Sequence, residues 1–144
     1  MAGVRRVTRS ILRYVFPLYV LAIVLQVYFA GEGIFGARDK DIQIEDAKVL
    51  DLHREFGWFI SQPFALLLLI AALLAWFPNK RLRWLAIAAP ILLIIQSILP
   101  YADRWIAALH PVNAFVLLGI FGYLSSALWR GRVAVEEPPP ARTV

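Results

Sequence analysis

The chain lacks cysteine altogether and has few charged residues and few histidines. Its 144 residues include no cysteine, which excludes disulfides, zinc–thiolate centres, iron–sulfur clusters and covalently attached c-type haem. Only 17% of the residues are charged, whereas 60% are hydrophobic and the mean hydropathy is +0.67. This composition excludes an ordinary soluble domain and is typical of a membrane protein. A cofactor held by histidine stays compatible with it, and the chain has two histidines, His53 and His110.

Four apolar segments are long enough to span a bilayer. A helix needs about 20 apolar residues to cross the hydrocarbon core, and such segments occur at about residues 11–30, 52–77, 82–101 and 105–129. We interpret the first as a retained helix and not as a cleaved signal peptide, because Tyr28 stands where a small residue would precede the cleavage site. The sequence therefore predicts an all-α integral membrane protein, an antiparallel four-helix bundle over residues 1–130.

The segments between and after these helices are polar or break helices. Gly31, Gly33 and Gly36 are predicted to end the first helix. Residues 32–51 are predicted to form a solvated loop, because charges of both signs are mixed along them. Residues 131–144 contain three consecutive prolines and are predicted to form a disordered tail, since they cannot build a core.

The distribution of basic residues predicts the orientation. Four spans place both termini on one side, and this side carries Arg5, Arg6, Arg9, Arg13, Lys80, Arg81, Arg83, Arg130, Arg132 and Arg142. The opposite side carries Arg38, Lys40, Lys48, Arg54 and Arg104. Because basic loops stay in the cytoplasm, both termini are predicted to be cytoplasmic in a multi-pass protein of the cell inner (plasma) membrane.

The two histidines fall at similar predicted depth. An ionisable residue within a span is costly and is by default a functional candidate. His53 begins the second segment and His110 lies about one and a half turns inside the fourth, and both segments enter from the same side. Glutamine, serine and asparagine also favour that half of the bundle. Each histidine alone is explained by a hydrogen bond to a carbonyl or to water, but the pair on alternate helices favours one shared site.

Two histidines facing each other across the diagonal of a bundle suit a bis-histidine haem. Gly57 and Ala114, each one turn after a histidine, are expected to leave room for the ring. Arg54 and Arg104 are expected at the rim, as countercharges for the propionates. A zinc site is the weaker alternative, because it needs exposed carboxylates as its third and fourth ligands.

The residues around these histidines resemble one four-helix half of the haem A synthase family. In that family each half has a histidine on its second and fourth helices, a glutamine late on its third helix and an alanine one turn after the last histidine. His53, Gln96, His110 and Ala114 occupy the matching positions. A closer likeness is to small uncharacterised bacterial four-helix membrane proteins that share a His-Pro-Val-Asn signature, which here ends at Asn113.

The resemblance implies haem holding without haem modification. The family has a glutamate three residues before the histidine of its substrate-binding half, and Leu50 stands at that position. The implied protein is a small b-type cytochrome that binds haem b through His53 and His110. Such a protein passes single electrons to a membrane redox partner or holds haem for a larger complex, and it is not an enzyme with turnover.

Two other function classes stay open at this point. One is a structural or accessory subunit of a larger membrane complex, in which Gly119, Gly122 and Ser126 allow close helix approach. The other is a small carrier or proton-relay protein with a wet cavity lined by Gln26, His53, Gln96, His110 and Asn113. The apolar inner half offers no exit route, which a homo-oligomeric interface would have to supply. Nucleic-acid binding is not expected, because the basic residues flank membrane spans and are explained as topology signals.

Overall fold

The computed structural model describes residues 2–40 and 48–131, which form helices and short turns and contain no strand. Span 1 is α1 (Ala2–Asp39), and span 2 consists of the 3-10 turn Lys48–Leu50, α2 (Asp51–Ser61) and α3 (Pro63–Ala75). Span 3 is α4 (Lys80–Ile98) with the 3-10 turn Leu99–Tyr101, and span 4 is α5 (Arg104–Ala107) with α6 (Leu109–Trp129). All four spans are long and apolar enough to cross a membrane. The predicted all-α four-helix membrane fold is thereby confirmed.

The first helix is longer than predicted, and the glycines at 31, 33 and 36 do not end it. It continues through them to Asp39, so the loop predicted from residue 32 is wrong over residues 32–39. Residues 41–47 of that loop lie outside the described residues, as does the predicted tail after Gly131. Glycine within a helix costs about 1 kcal/mol relative to alanine. Here the packing of the turn Lys48–Leu50 against the end of α1 offsets that cost.

Gly33 is the position where this packing is closest. A Cβ added there would lie 2.7 Å from the carbonyl oxygen of Val49 and 2.6 Å from a methyl group of Leu50. The same addition at Gly31 would meet nothing within 4 Å. The absence of a side chain at residue 33 therefore lets the turn before α2 dock on α1.

We expect Gly33→Ala to lower the free energy of unfolding by about 1 kcal/mol, because the backbone of the turn must move away. Gly31→Ala is the matched control and should raise stability by up to about 1 kcal/mol, since alanine is the better helix former. Denaturation in detergent micelles, followed by helicity, measures both variants. Equal effects of the two substitutions would contradict the proposed close packing.

Span 2 is broken where the sequence predicts one helix over residues 52–77. Pro63 lacks the N–H of a continuous helix, and the chain bends at Gln62, which is the C-cap of α2 and the N-cap of α3. At Pro17 and Pro90, in contrast, the helix continues. Two side chains bind carbonyl groups near the bend. The Tyr19 hydroxyl donates to the Ile60 carbonyl (3.2 Å), and Ser61 Oγ donates to the Gly57 carbonyl (2.6 Å). The bend is thus stabilised by hydrogen bonds from spans 1 and 2.

The end of α3 is capped by an arginine from span 1. Trp76 adopts a left-handed conformation (φ 37°) and stops the helix. Arg9 donates to the carbonyl oxygens of Ala75 and Trp76, both at 2.8 Å. These bonds satisfy carbonyls that a helix end leaves without partners, and they join the first span to the turn before α4.

The four spans form a square in chain order. Spans 1 and 3 each pack against spans 2 and 4, whereas neither diagonal pair makes a close backbone approach over the described residues. Spans 2 and 4 therefore lie across the diagonal, as predicted for the helices that carry the histidines. Gly119 and Gly122 do not bring spans of this chain together, because a Cβ at either would meet nothing within 4 Å.

The two ends of the bundle are built differently. We call the end with residues 2–13, 76–83 and 125–131 the proximal end, and the end with residues 31–40, 48–55 and 99–109 the distal end. The proximal half is densely packed: Phe16, Phe77 and Phe121 are fully buried, and Phe121 stacks on Tyr19 with ring centroids 4.7 Å apart. The distal half contains a cavity instead of a core.

Candidate functional site

A cavity of about 1050 Å³ lies in the distal half, between all four spans. Small-molecule sites in proteins commonly enclose about 300–1,000 Å³, so this cavity is large enough for a cofactor. Its wall is mainly apolar, with a few polar side chains: Gln26, His53, Arg54, Ser61, Gln62, Gln96, Ser97, Tyr101 and His110. An apolar wall with few convergent polar groups is typical of a ligand site.

The structure brings the two histidines together in this cavity. His53 comes from α2 and His110 from α6, the diagonal pair, and their ring centroids are 6.2 Å apart with the planes inclined at 76°. Both side chains line the cavity. Both residues are partly buried.

Backbone carbonyls determine which nitrogen of each ring carries the proton. His53 Nδ1 lies 3.0 Å from the carbonyl oxygen of Gln26, and His110 Nδ1 lies 2.9 Å from that of Gln96. A carbonyl oxygen can only accept, so Nδ1 is the donor in both rings. In a neutral imidazole the lone pair is then on Nε2, and this is the arrangement by which proteins orient metal-binding histidines.

Gln96 also contacts His110 through its side chain. Its amide nitrogen donates to Nε2 of His110 at 3.2 Å, which agrees with a lone pair on that atom. The amide is oriented by Asn113, whose Nδ2 donates to Oε1 of Gln96 at 2.7 Å and to the Leu92 carbonyl at 3.0 Å. Asn113 therefore acts through Gln96 and is not itself part of the cavity wall.

Gln26 is a site residue that the sequence analysis did not count among the cofactor-binding residues and placed only in the cavity of a carrier or proton relay. Its backbone carbonyl orients His53, and its side-chain amide occupies the space where a Cβ on Gly57 would be. Gly57 itself lines the cavity, and the space beside it that a Cβ would fill is occupied by this amide. Gln26 Oε1 is buried and has no hydrogen-bond partner among the described residues. A glutamine within an apolar span was the available signal.

The other predicted residues divide between cavity and surface. Ala114 and Arg54 line the cavity, and Arg54 also pairs with Asp51 at 3.3 Å where both side chains are about half exposed. Arg104 does not line the cavity and instead stacks on Trp105 at 4.8 Å. Of the two arginines expected at the rim, only Arg54 therefore lines the cavity.

A second polar contact that the sequence analysis did not identify crosses the cavity wall. Gln62, at the bend of span 2, donates through its amide to Ser97 Oγ, and this hydroxyl donates to the Ile94 carbonyl at 2.8 Å. The bend is the reason that sequence reasoning missed it, because a continuous helix would place Gln62 differently. The contact links spans 2 and 3 beside the histidines.

The ligand inventory bears on the choice of metal. Over residues 2–40 and 48–131, no group of three or more histidine, cysteine, aspartate or glutamate side chains is placed to hold an ion. Zinc takes three or four protein ligands, and the histidine pair supplies two. A six-coordinate haem iron needs two axial ligands, which two imidazoles can supply.

One comparison with known proteins gives a match. The model of a protein family described as a family of unknown function, DUF6220, matches residues 26–103. The matched range includes Gln26, His53 and Gln96 and ends before His110. No curated protein and no solved structure matches the chain.

Proposed function

The chain belongs to the DUF6220 family, whose function is unknown, and we propose from its geometry that it is a small b-type membrane cytochrome in which His53 and His110 hold haem b. The observation that carries the proposal is the disposition of the two imidazoles. Metal–nitrogen bonds of about 2 Å on opposite sides of one ion place two ligating rings roughly 6 Å apart, centre to centre. The separation in this cavity is 6.2 Å.

The surroundings of the rings fit the same group. Carbonyls of Gln26 and Gln96 hold both Nδ1 atoms, so a metal would bind through Nε2, which in His110 also accepts from the Gln96 amide. The cavity is mainly apolar, and the packed side chains of Tyr19 and Phe121 lie beyond its proximal side. A mainly apolar wall of this kind lowers the dielectric around a bound cofactor.

A bis-histidine haem supplies a one-electron couple with no open position for oxygen. The role that follows is electron transfer to a membrane partner, or haem handling, without oxygenation. Leu50, which stands where haem A synthases have a glutamate, lines the cavity as an apolar group. An apolar group at this position supports a protein that binds haem and does not modify it.

The structure offers less support for a carrier or proton relay. Such a role needs polar groups between the cavity and the proximal end. Instead, fully buried apolar side chains, among them Phe16, Leu117 and Phe121, occupy the described part of that region.

We also propose that the termini face the cytoplasm of the inner membrane. The described residues of the proximal end include eight basic side chains, Arg5, Arg6, Arg9, Arg13, Lys80, Arg81, Arg83 and Arg130. The positive-inside rule then assigns this end to the cytoplasm and the cavity to the opposite leaflet. A redox partner would reach the site from that surface or from within the bilayer.

Haem titration of the purified full chain in detergent tests the proposal. We expect one haem per chain, a low-spin six-coordinate Soret band and a sharp alpha band on reduction. Carbon monoxide should bind poorly to the reduced form, because both axial positions are taken. Protein that is helical yet stays colourless with excess haem, or that gives a high-spin five-coordinate spectrum, would contradict the proposal.

Gln96 competes with the iron for Nε2 of His110 in this arrangement, because its amide donates to that lone pair. We expect Gln96→Leu to raise haem affinity about two- to tenfold, which corresponds to the loss of one hydrogen bond of about 0.5–1.5 kcal/mol. The backbone carbonyl that orients His110 is kept in this variant. Haem titration measures the change, and a large loss of affinity would instead show that the Gln96 amide is needed for binding.

A further inference from the structure

Charge is segregated between the two ends of the bundle. The described carboxylates all lie at the distal end: Glu32, Asp39, Asp51, Glu55 and Asp103. The eight basic side chains of the proximal end have no aspartate or glutamate beside them within residues 2–40 and 48–131. The one ion pair between described residues, Arg54 with Asp51, is likewise distal. The proximal end is thus a cationic surface without internal neutralisation in the described part of the chain.

Aromatic rings hold several of the proximal arginines in place. Arg13 stacks on Trp129 at 4.0 Å, Arg81 on Tyr123 at 4.7 Å and Arg83 on Trp76 at 4.6 Å. A ring engages the face of the guanidinium and leaves N–H donors at its edge, where a planar fork suits the oxygens of a phosphate. Because the stacked arginine side chains are already held, they lose less conformational freedom when an anion binds than free side chains would.

The spacing along α1 adds a repulsion that an anion would relieve. Arg5, Arg9 and Arg13 follow each other at intervals of four residues and therefore lie on one stripe of the helix. Like charges at this spacing destabilise a helix. Only Arg9 makes hydrogen bonds to the next span, with two of its donors.

We infer that this surface, from α1 to the start of α4 and the end of α6, binds the phosphodiester headgroups of anionic phospholipids. The position favours lipid over a soluble anion. Trp76 and Trp129, which carry two of the stacked arginines, are about half exposed at the ends of their spans, where indole rings lie at the headgroup level. Basic groups at that depth attract anionic lipid, each by about fivefold in affinity.

The test compares two triple variants of equal charge change in the full chain. The proximal variant is Arg6→Gln with Arg81→Gln and Arg83→Gln. The distal control is Arg38→Gln with Lys40→Gln and Arg104→Gln, in which Arg38 and Arg104 also stack on aromatic rings. Binding of phosphatidylglycerol and of phosphatidylcholine with matched chains is measured in neutral detergent, with inorganic phosphate as the soluble arm.

We expect the unmodified chain to bind phosphatidylglycerol at least tenfold more tightly than phosphatidylcholine, and less so at high salt. The proximal variant should lose at least tenfold and the distal control less than twofold. A matching variant with lysine at residues 6, 81 and 83 keeps the charge and should retain most of the binding, which separates lost charge from misfolding. Equal affinity for both lipids, equal losses in both variants, or displacement of the lipid by millimolar phosphate would overturn the assignment.

Discussion

His53→Gly and His110→Gly are each expected to lower haem affinity at least a hundredfold and to remove the low-spin spectrum. Substitution of a residue that only orients a metal ligand lowers metal affinity about 10- to 100-fold. The substitutions proposed here remove the ligand itself. The fold should survive, because His53 and His110 are only partly buried and the packed core lies in the proximal half. Haem titration with absorption spectroscopy measures the loss.

Rescue by imidazole distinguishes a lost ligand from lost structure. Free imidazole should restore the low-spin bands in either glycine variant, since the cavity left by the side chain admits a molecule of that size. Gln62→Leu is the matched control, because Gln62 lines the same cavity and is not proposed as a ligand; its affinity should change less than threefold. If one histidine variant kept the spectrum of the unmodified protein, bis-histidine ligation would be wrong.

Phe121→Ala is expected to lower the free energy of unfolding by about 2 kcal/mol. Phe121 is fully buried and contacts Phe16 and Tyr19, with ring centroids 5.9 and 4.7 Å away. In a soluble protein such a change costs about 3–5 kcal/mol. Within lipid the transfer part of this cost falls away, because lipid tails are as apolar as the core, and the unfilled cavity accounts for the remainder.

The control substitution is at a second phenylalanine of the same helix, α6. Phe115 is 67% exposed, so Phe115→Ala should change stability by less than about 0.5 kcal/mol, as for surface positions in general. Unfolding in mixed micelles, followed by circular dichroism without cofactor, compares the two variants. Equal destabilisation would show that the proximal half is not the stabilising core.

The four spans were predictable because the bilayer sets a length and a polarity that each segment must meet. Residues 52–77, 82–101 and 105–129 were expected to be helical, and helices occupy most of each range. The glycines after residue 30 gave the wrong helix end, because local propensity is small beside the docking of the turn at Val49 on α1. The bend at Gln62 was missed because Pro63 was placed within one helix.

The histidine pair was predictable in kind, since an ionisable residue in an apolar span requires an explanation. The residues that contact the two histidines were harder to predict. Gln26 precedes His53 by 27 residues, and the contact between them follows from the packing of span 1 on span 2. Arg104 has the right sequence position for the rim and yet stacks on Trp105, its neighbour in the short helix α5.

The sequence by itself determined the number of spans, the segregation of charge between the ends and the helices that carry the two histidines, because each depends on local composition and on the bilayer. Only the tertiary structure decided that the centroids of these rings lie 6.2 Å apart, that carbonyls of Gln26 and Gln96 accept from both Nδ1 atoms, and that a cavity lies in the distal half. Those features depend on how four helices pack around one another, and contacts between residues distant in sequence leave no local pattern.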